Sequence, residues 1–254
     1  MSARIIPVAA ALCAFAAPAT AETPVAEAGP TLGMESGAMQ PVMDQAIFGH
    51  AIFNQLEGRW NGSNTEFRWD GQGWVGTDYD KLWIKSEGTV QSNGTVDDGQ
   101  DQFLYSRAIT TYFDLQGGLR SDIDSRPTRN WAALGIQGLA PYFFDLELTG
   151  YASGQGHLAA KLEASYDLLI TNRLILQPQI EVDLYSKADP PRLVGAGFSS
   201  IDTGLRLRYE FSRKFAPYLG VVYEGKFGQT ASYARRIAES TGDFRFAFGV
   251  RIWF

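Results

Sequence analysis

Apolar and polar residues alternate along most of the chain from about residue 46 onward. In the stretch LILQPQIEVDLYS, for example, Leu176, Ile180 and Leu184 fall on one face of an extended chain. Glu181 and Asp183 fall on the other face. The same period of two recurs in FFDLELTGY, LAAKLEASYDLLI, GLRLRYEF and the closing DFRFAFGVRIWF. This is the period of a β-strand whose two faces meet different surroundings, and since no helical period separates these stretches, it predicts an all-β protein.

The connections between the predicted strands are alternately short and long. Tight turns followed by an aromatic or apolar pair occur in AITTYFDLQ, GLAPYFFDLEL, LLITNRLILQ and KFAPYLGVV. Longer polar loops are SNGTVDDGQD, SDIDSRPTRN, SKADPPRLVGAGFSSID and GQTASYARRIAESTGD. Aromatic residues cluster near the predicted strand ends, at Tyr142, Phe143, Tyr218, Tyr223, Phe227, Trp253 and Phe254. These features are typical of a transmembrane, antiparallel outer-membrane β-barrel with short periplasmic turns, longer extracellular loops and aromatic girdles.

Counting strands backwards from Phe254 predicts a barrel of about 12 strands, an even number as such barrels require. The strands are expected near residues 243–254, 217–228, 203–212, 173–185, 157–170, 142–152, 130–139, 113–123, 102–110, 81–91, 64–76 and 46–60. The assignment is weakest in RWNGSNTEFRWDGQGWVG, where DGQG is compatible with a turn or a bulge. A barrel of about 10 strands is therefore the alternative.

The first residues are typical of a secretory signal peptide. Arg4 supplies the positive charge, residues 5–17 are mostly apolar, and the segment 19–21 has the small residues of a cleavage site. We therefore expect a signal peptide over 1–21, a flexible Met-containing periplasmic tail over 22–45 and the barrel over 46–254. The only cysteine, Cys13, follows Leu12, where a lipoprotein signal requires a small residue. The exported chain is then expected to use neither disulfides nor thiolate ligands.

Charge and motifs narrow the possible functions. The net charge of -6 and the lack of a basic stripe argue against nucleic-acid binding. No phosphate-binding loop, dinucleotide fingerprint, zinc helix or nucleophile elbow is present, so we expect no enzyme activity. His157 has no Ser or Asp in a recognisable motif beside it and is interpreted as a histidine at the barrel rim. Charges of alternating sign at lumen positions such as Lys161, Glu163 and Glu181 favour a structural network in a narrow interior over a cation-conducting lining.

Several stretches along the predicted barrel carry a family resemblance. They are GRWNGSNTEFRWDGQGWVGTDYDKLWIKSEG, LYSRAI, GIQGLAPYFFDLE, EASYDLLITNRLILQPQIEVDLY, GLRLRYEFSRKFAPYLGVVYEGKFGQTA and GVRIWF. In this order they resemble the bacterial copper resistance protein B family, over roughly residues 44–254. The resemblance implies a protein of copper tolerance systems that lies in outer-membrane lipid. It also implies a periplasmic multicopper oxidase or a copper carrier as a partner.

The same resemblance directs attention to the predicted tail. Family members often carry a long tail rich in Met, His, Asp and Gly, whereas this chain has only Met34, Met39, Met43 and, just beyond, His50. A thioether is a soft ligand suited to Cu(I), and an imidazole also suits Cu(II). We therefore expect these four residues to bind copper as a non-catalytic ion that the protein sequesters or helps to export, although not in high capacity. The alternative is a small solute channel without metal specificity, in which the tail is only a linker.

Overall fold

The structure of the protein is a computed structural model that describes residues 46–124 and 128–254. The predicted signal peptide and the whole of the predicted tail precede these residues. Met34, Met39 and Met43 therefore lie outside the described part of the chain, whereas His50 lies within it.

Antiparallel β-strands make up most of the described chain, which forms a single 13-stranded sheet. The strands are β1 (Phe48–Trp60), β2 (Thr65–Gly76), β3 (Asp80–Gln91), β4 (Val96–Ala108), β5 (Phe113–Asp122), β6 (Asn130–Ala140), β7 (Phe144–Ser153), β8 (Leu158–Tyr166), β9 (Leu168–Leu169), β10 (Leu174–Tyr185), β11 (Gly197–Tyr209), β12 (Phe215–Lys226) and β13 (Gly242–Trp253). All the strands predicted from the alternating pattern are present.

The sheet closes on itself because the first strand pairs with the last. In β1 and β13, Trp60 faces Phe246 and Ile52 faces Trp253. The short β9 continues β8 beyond a break at Asp167, and both pair with β10, so together they occupy one position in the wall. The result is a closed antiparallel barrel of 12 strands, which confirms the predicted fold and not the alternative of about 10 strands.

The two faces of the wall are chemically opposite. Large apolar side chains point outward around the barrel, with Phe244 71%, Leu219 68% and Leu134 64% exposed. The inward positions are mostly polar or charged, and many of them are buried. This outer belt of apolar side chains is typical of the lipid-facing surface of outer-membrane β-barrels.

The connections differ between the two ends of the barrel. One end, here called the turn end, carries Phe254 and the turns 77–79, 109–112, 141–143, 170–173 and 210–214. The other, the loop end, carries the connections 61–64, 92–95, 123–129, 154–157, 186–196 and 227–241. The longest connections are thus at the loop end, as the alternation of short and long linkers predicts.

Three details at the loop end differ from the prediction. The helix α1 (Gly228–Arg236) lies inside the last long loop, where only irregular structure was expected. Strand β4 begins at Val96 and β11 at Gly197, several residues earlier than predicted.

No helix among the described residues is long and apolar enough to cross a membrane.

The helix α1 forms because it can bury one face on the barrel rim. Ala231 and Ala234 are buried, and the Thr230 hydroxyl accepts a hydrogen bond from the backbone N–H of Gly195 at 2.8 Å. Thr230 also shares a hydrogen bond with Ser199 of β11. The loop sequence is mostly polar and its amphipathic stretch is short, so the helical period is not apparent in the sequence.

Candidate ion-binding lumen

A row of acidic side chains follows the hydrogen-bonding direction around the inside of the wall. Each member lies directly opposite the next on the neighbouring strand: Glu147 pairs with Glu163, Glu163 with Glu181, Glu181 with Asp202, Asp202 with Glu224, and Glu224 with Asp243. These six residues, here called the acidic row, come from β7, β8, β10, β11, β12 and β13. Because strands in a barrel are tilted, such a row also rises along the barrel axis.

Cations from β1, β2 and β3 reach across the lumen to the acidic row. Arg59 donates to Asp202 at 2.6 Å and to Glu224 at 2.5 Å. Arg68 contacts Glu181 at 2.9 Å, and the Lys85 ammonium contacts Glu147 at 2.7 Å. These pairs join strands that are not neighbours in the wall, and because most of these side chains are largely buried, each partner depends on the other.

A second set of buried contacts centres on Glu57 of β1. Arg206 donates to both of its carboxylate oxygens at 2.9 Å, and Arg59 donates at 2.7 Å. The Tyr218 hydroxyl donates to Glu57 at 2.9 Å. Tyr218 is therefore a lumen residue, which corrects its assignment to an aromatic girdle.

Lys161 lies at the centre of three carboxylates. Its ammonium contacts Glu163 at 2.8 Å and Glu181 at 3.2 Å, and it also forms an ion pair with Glu87 on β3. Ligand oxygens of these three glutamates lie within 4.8 Å of one another. This spacing would suit a bound cation, and the Lys161 ammonium is itself such a cation.

Two cavities lie inside the described barrel, one toward each end. The loop-end vestibule has a volume of about 670 Å³ and is lined by Lys161, Glu181, Asp202, Glu224 and Asp243, among others. The turn-end vestibule has a volume of about 420 Å³, and its lining includes Glu147 and Glu163. The acidic row therefore passes from one vestibule into the other, with the ion pair between Lys161 and Glu163 at the junction.

The predicted ligand His50 lies in the turn-end vestibule. Its ring centroid is 5.6 Å from that of Trp253 and 6.3 Å from that of Trp74. The ring centroid of Trp74 is in turn 6.2 Å from that of Trp83, so aromatic rings flank the histidine at the mouth of the vestibule. Trp253 thus faces the lumen, which corrects its assignment to an aromatic girdle at the membrane surface. The structure does not bring His50 together with another predicted ligand, because the three methionines are outside the described residues.

His157 lies at the opposite end, in the connection between β7 and β8. Its pKa is lowered from the ordinary value, mainly by partial desolvation and further by the charges of Arg129 and Lys187. Since the other histidine is at the turn end, the two are separated by the length of the barrel. This position agrees with the interpretation of His157 as a rim residue.

The sequence pattern identified only part of the lumen set. The alternation on β8 and β10 predicts that Lys161, Glu163 and Glu181 face the lumen. The basic wall of Arg59, Arg68 and Lys85 is not among the predicted lumen residues, although NQLEGRW and TEFRWD also alternate. What the sequence could not show is the register that aligns the acidic residues across neighbouring strands.

A closed barrel with an apolar outer belt and a charged interior defines an outer-membrane type of β-barrel protein. The fold is similar to that of the NanC porin, with a TM-score of 0.50 at 11% identity, over 81% of this chain and 99% of that one.

Sequence comparisons are more specific. The family described as copper resistance protein B precursor matches residues 47–254. Copper resistance protein B of Escherichia coli is 42% identical over 84% of this chain and 72% of its own length. The copper resistance protein B homolog of Pseudomonas syringae pv. tomato is 39% identical over 94% of this chain and 82% of its own length. The chain belongs to the copper resistance protein B family.

Proposed function

We propose that this protein contributes to copper resistance at the outer membrane, where it binds copper ions at the turn end and offers them a route along the acidic row. In this proposal the turn end faces the periplasm. Family membership supports the role in copper resistance, and the barrel fold supports the outer membrane as its location. The role is one of binding and transfer and not of catalysis.

The single observation that carries the proposal is the position of His50. It lies in the turn-end vestibule, and the predicted tail ends shortly before it in the sequence. Met43 precedes His50 by seven residues, so a turn in the chain between them could bring its thioether to the imidazole. A thioether and an imidazole together suit copper better than they suit hard cations such as Mg²⁺.

The lining of the lumen supports the second part of the proposal. Acidic rings favour cations over anions in a pore. The acidic row supplies carboxylates in both vestibules, and Gln55 adds a buried side-chain oxygen that accepts no hydrogen bond from the described residues. The ion pairs that span the interior fill the lumen with charged side chains, which argues against the alternative function, a small solute channel without metal specificity.

The test is Cu(I) binding by the refolded chain that begins at Glu22, beside a chain that begins at Asp44. We expect the longer chain to bind and the shorter chain to bind much more weakly. A full-length variant with Met34→Leu, Met39→Leu and Met43→Leu is the matched control, because it removes the thioethers and keeps the tail length. Equal binding by all three proteins would contradict the role of the tail. No binding by any of them would contradict the copper site altogether.

A further inference from the structure

The junction between the two vestibules depends on one side chain. Lys161 borders the loop-end vestibule, and Glu163 borders the turn-end vestibule. Both residues belong to β8 and point into the lumen, and the Lys161 ammonium contacts Glu163 at 2.8 Å. A cation that moves along the acidic row must therefore pass the ammonium of Lys161.

Lys161 also connects the two sides of the barrel. Its ion pair with Glu87 runs from β8 to β3, across the lumen. Arg68 of β2 contacts two of the three carboxylates that Lys161 contacts, Glu181 at 2.9 Å and Glu87 at 3.7 Å. The side chain of Lys161 is only 5% exposed, so it fills the junction instead of lining it.

The three carboxylates at the junction form a cation site, and the Lys161 ammonium is the cation that they hold. Three carboxylates with ligand oxygens within 4.8 Å of one another would attract a diffusible cation strongly. The Lys161 ammonium offsets one of their negative charges and occupies the space between them, while the Arg68 guanidinium contacts Glu87 and Glu181. A lysine ammonium is a compact charge on a flexible four-carbon stem, so it can leave such a position without movement of the backbone.

We propose that Lys161 is a tethered cation that closes the lumen at the junction between the vestibules. When the ammonium leaves the three carboxylates, diffusible cations take its place and pass from Glu163 to Glu181 along the acidic row. The inference rests on the proposed cation route through the lumen but not on copper binding by the tail or by His50. A purely structural ion pair at this position would stabilise the barrel and would have no effect on conduction.

The experiment measures single-channel conductance in planar bilayers with KCl on both sides. The wild-type protein is expected to conduct poorly, and Lys161→Gln is expected to raise the conductance about tenfold, since a neutral side chain no longer competes with K⁺. Lys161→Arg, which keeps the charge, is expected to stay near the wild type. Lys226→Gln is the matched control, because it removes the same charge from the loop-end vestibule away from the junction, where Lys226 pairs with Glu239 at 2.8 Å and the two side chains are 42% and 45% exposed.

A second variant tests the role of Lys161 even if Lys161→Gln does not fold. The double variant Lys161→Gln with Glu163→Gln keeps the net charge and still removes the ammonium, and it should also conduct more than the wild type. Folding of each variant is checked by far-UV circular dichroism. Unchanged conductance in folded variants, or high conductance in the wild type, would overturn the role of Lys161.

Ion preference separates this inference from the proposed function. Under a KCl gradient, the reversal potential of Lys161→Gln should move toward the equilibrium potential of K⁺, as a carboxylate-lined path requires. A higher conductance without preference for cations would support closure by Lys161 and contradict the cation route. The copper-binding experiment on the tail is unaffected by either result.

Discussion

Arg206 of β11 donates two hydrogen bonds to Glu57 of β1, each at 2.9 Å, across two intervening strands of the barrel. Glu57 is completely buried, and it also accepts from Arg59 and Tyr218. One carboxylate therefore accepts hydrogen bonds from three residues, which belong to β1, β11 and β12. Its removal would take from the buried Arg206 guanidinium its carboxylate partner and from Arg59 one of three carboxylates.

We expect Glu57→Ala to lower the free energy of unfolding by about 3–5 kcal/mol, the usual loss when one member of a buried ion pair is removed. Urea unfolding in lipid vesicles, followed by tryptophan fluorescence, measures this change. Glu239→Ala is the control, because Glu239 and its partner Lys226 have side chains that are 45% and 42% exposed. For that exposed pair the expected loss is only about 0–1 kcal/mol. Equal losses for the two variants would contradict the account of the lumen network.

The outer belt predicts a dependence on membrane depth. Leu134 lies near the middle of β6 and is 64% exposed, so Leu134→Arg places a charge in the hydrocarbon and should cost about 2–4 kcal/mol. Tyr112 has a similar exposure of 65% but lies in a turn at the turn end, where the same change should cost about 0–1 kcal/mol. Unfolding in vesicles of one lipid composition compares the two. A larger loss at Tyr112 would mean that the belt is misplaced along the barrel axis.

Two adjacent glycines in β5 predict opposite responses to the same substitution. A Cβ at Gly118 would overlap the backbone of β4, including Cα of Leu104 at 2.9 Å, whereas a Cβ at Gly117 would meet nothing closer than 3.8 Å. Gly118→Ala should therefore destabilise the barrel by about 1–3 kcal/mol, as overpacking does. Gly117→Ala should be neutral or slightly stabilising, because it only restricts the unfolded chain. The order of the two unfolding midpoints decides the matter.

The rings beside His50 provide a spectroscopic test of copper binding at the turn end. Copper bound to its imidazole would lie close to Trp74 and Trp253, so copper should quench part of the tryptophan fluorescence. His50→Ala should lose this quenching and weaken Cu(II) binding. His157→Ala removes the other histidine of the chain from the opposite end and should leave both unchanged. If His157→Ala has the larger effect, copper binds at the loop end.

The architecture was accessible from the sequence because a membrane barrel imposes one rule on every strand. Apolar residues must face lipid at each second position, and so the pattern predicted β10 near 173–185, where the structure has Leu174–Tyr185. The rule weakens where strands leave the membrane. Val96 and Gly197 begin β4 and β11 in polar sequence, because beyond the lipid an outward side chain need not be apolar.

The candidate site was only partly accessible, for a different reason. Alternation shows that Glu163 and Glu181 face inward, but their direct apposition depends on strand register. The junction at Lys161 further depends on Glu87, which is far away in sequence and approaches only when the barrel closes. Side-chain direction is thus a local property of the chain, whereas the meeting of charges across the lumen is a property of the closed sheet.

The pairing of β1 with β13 has a consequence for the order of events in folding. This seam joins segments separated by nearly the whole barrel sequence, so the wall cannot close until the last strand has been made and delivered. Until then β1 and β12 each present an unpaired edge, which is a template for association with other chains. Such non-local contacts also form slowly. An incomplete chain would therefore be exposed to aggregation for longer than a protein whose first strand pairs only with its neighbour.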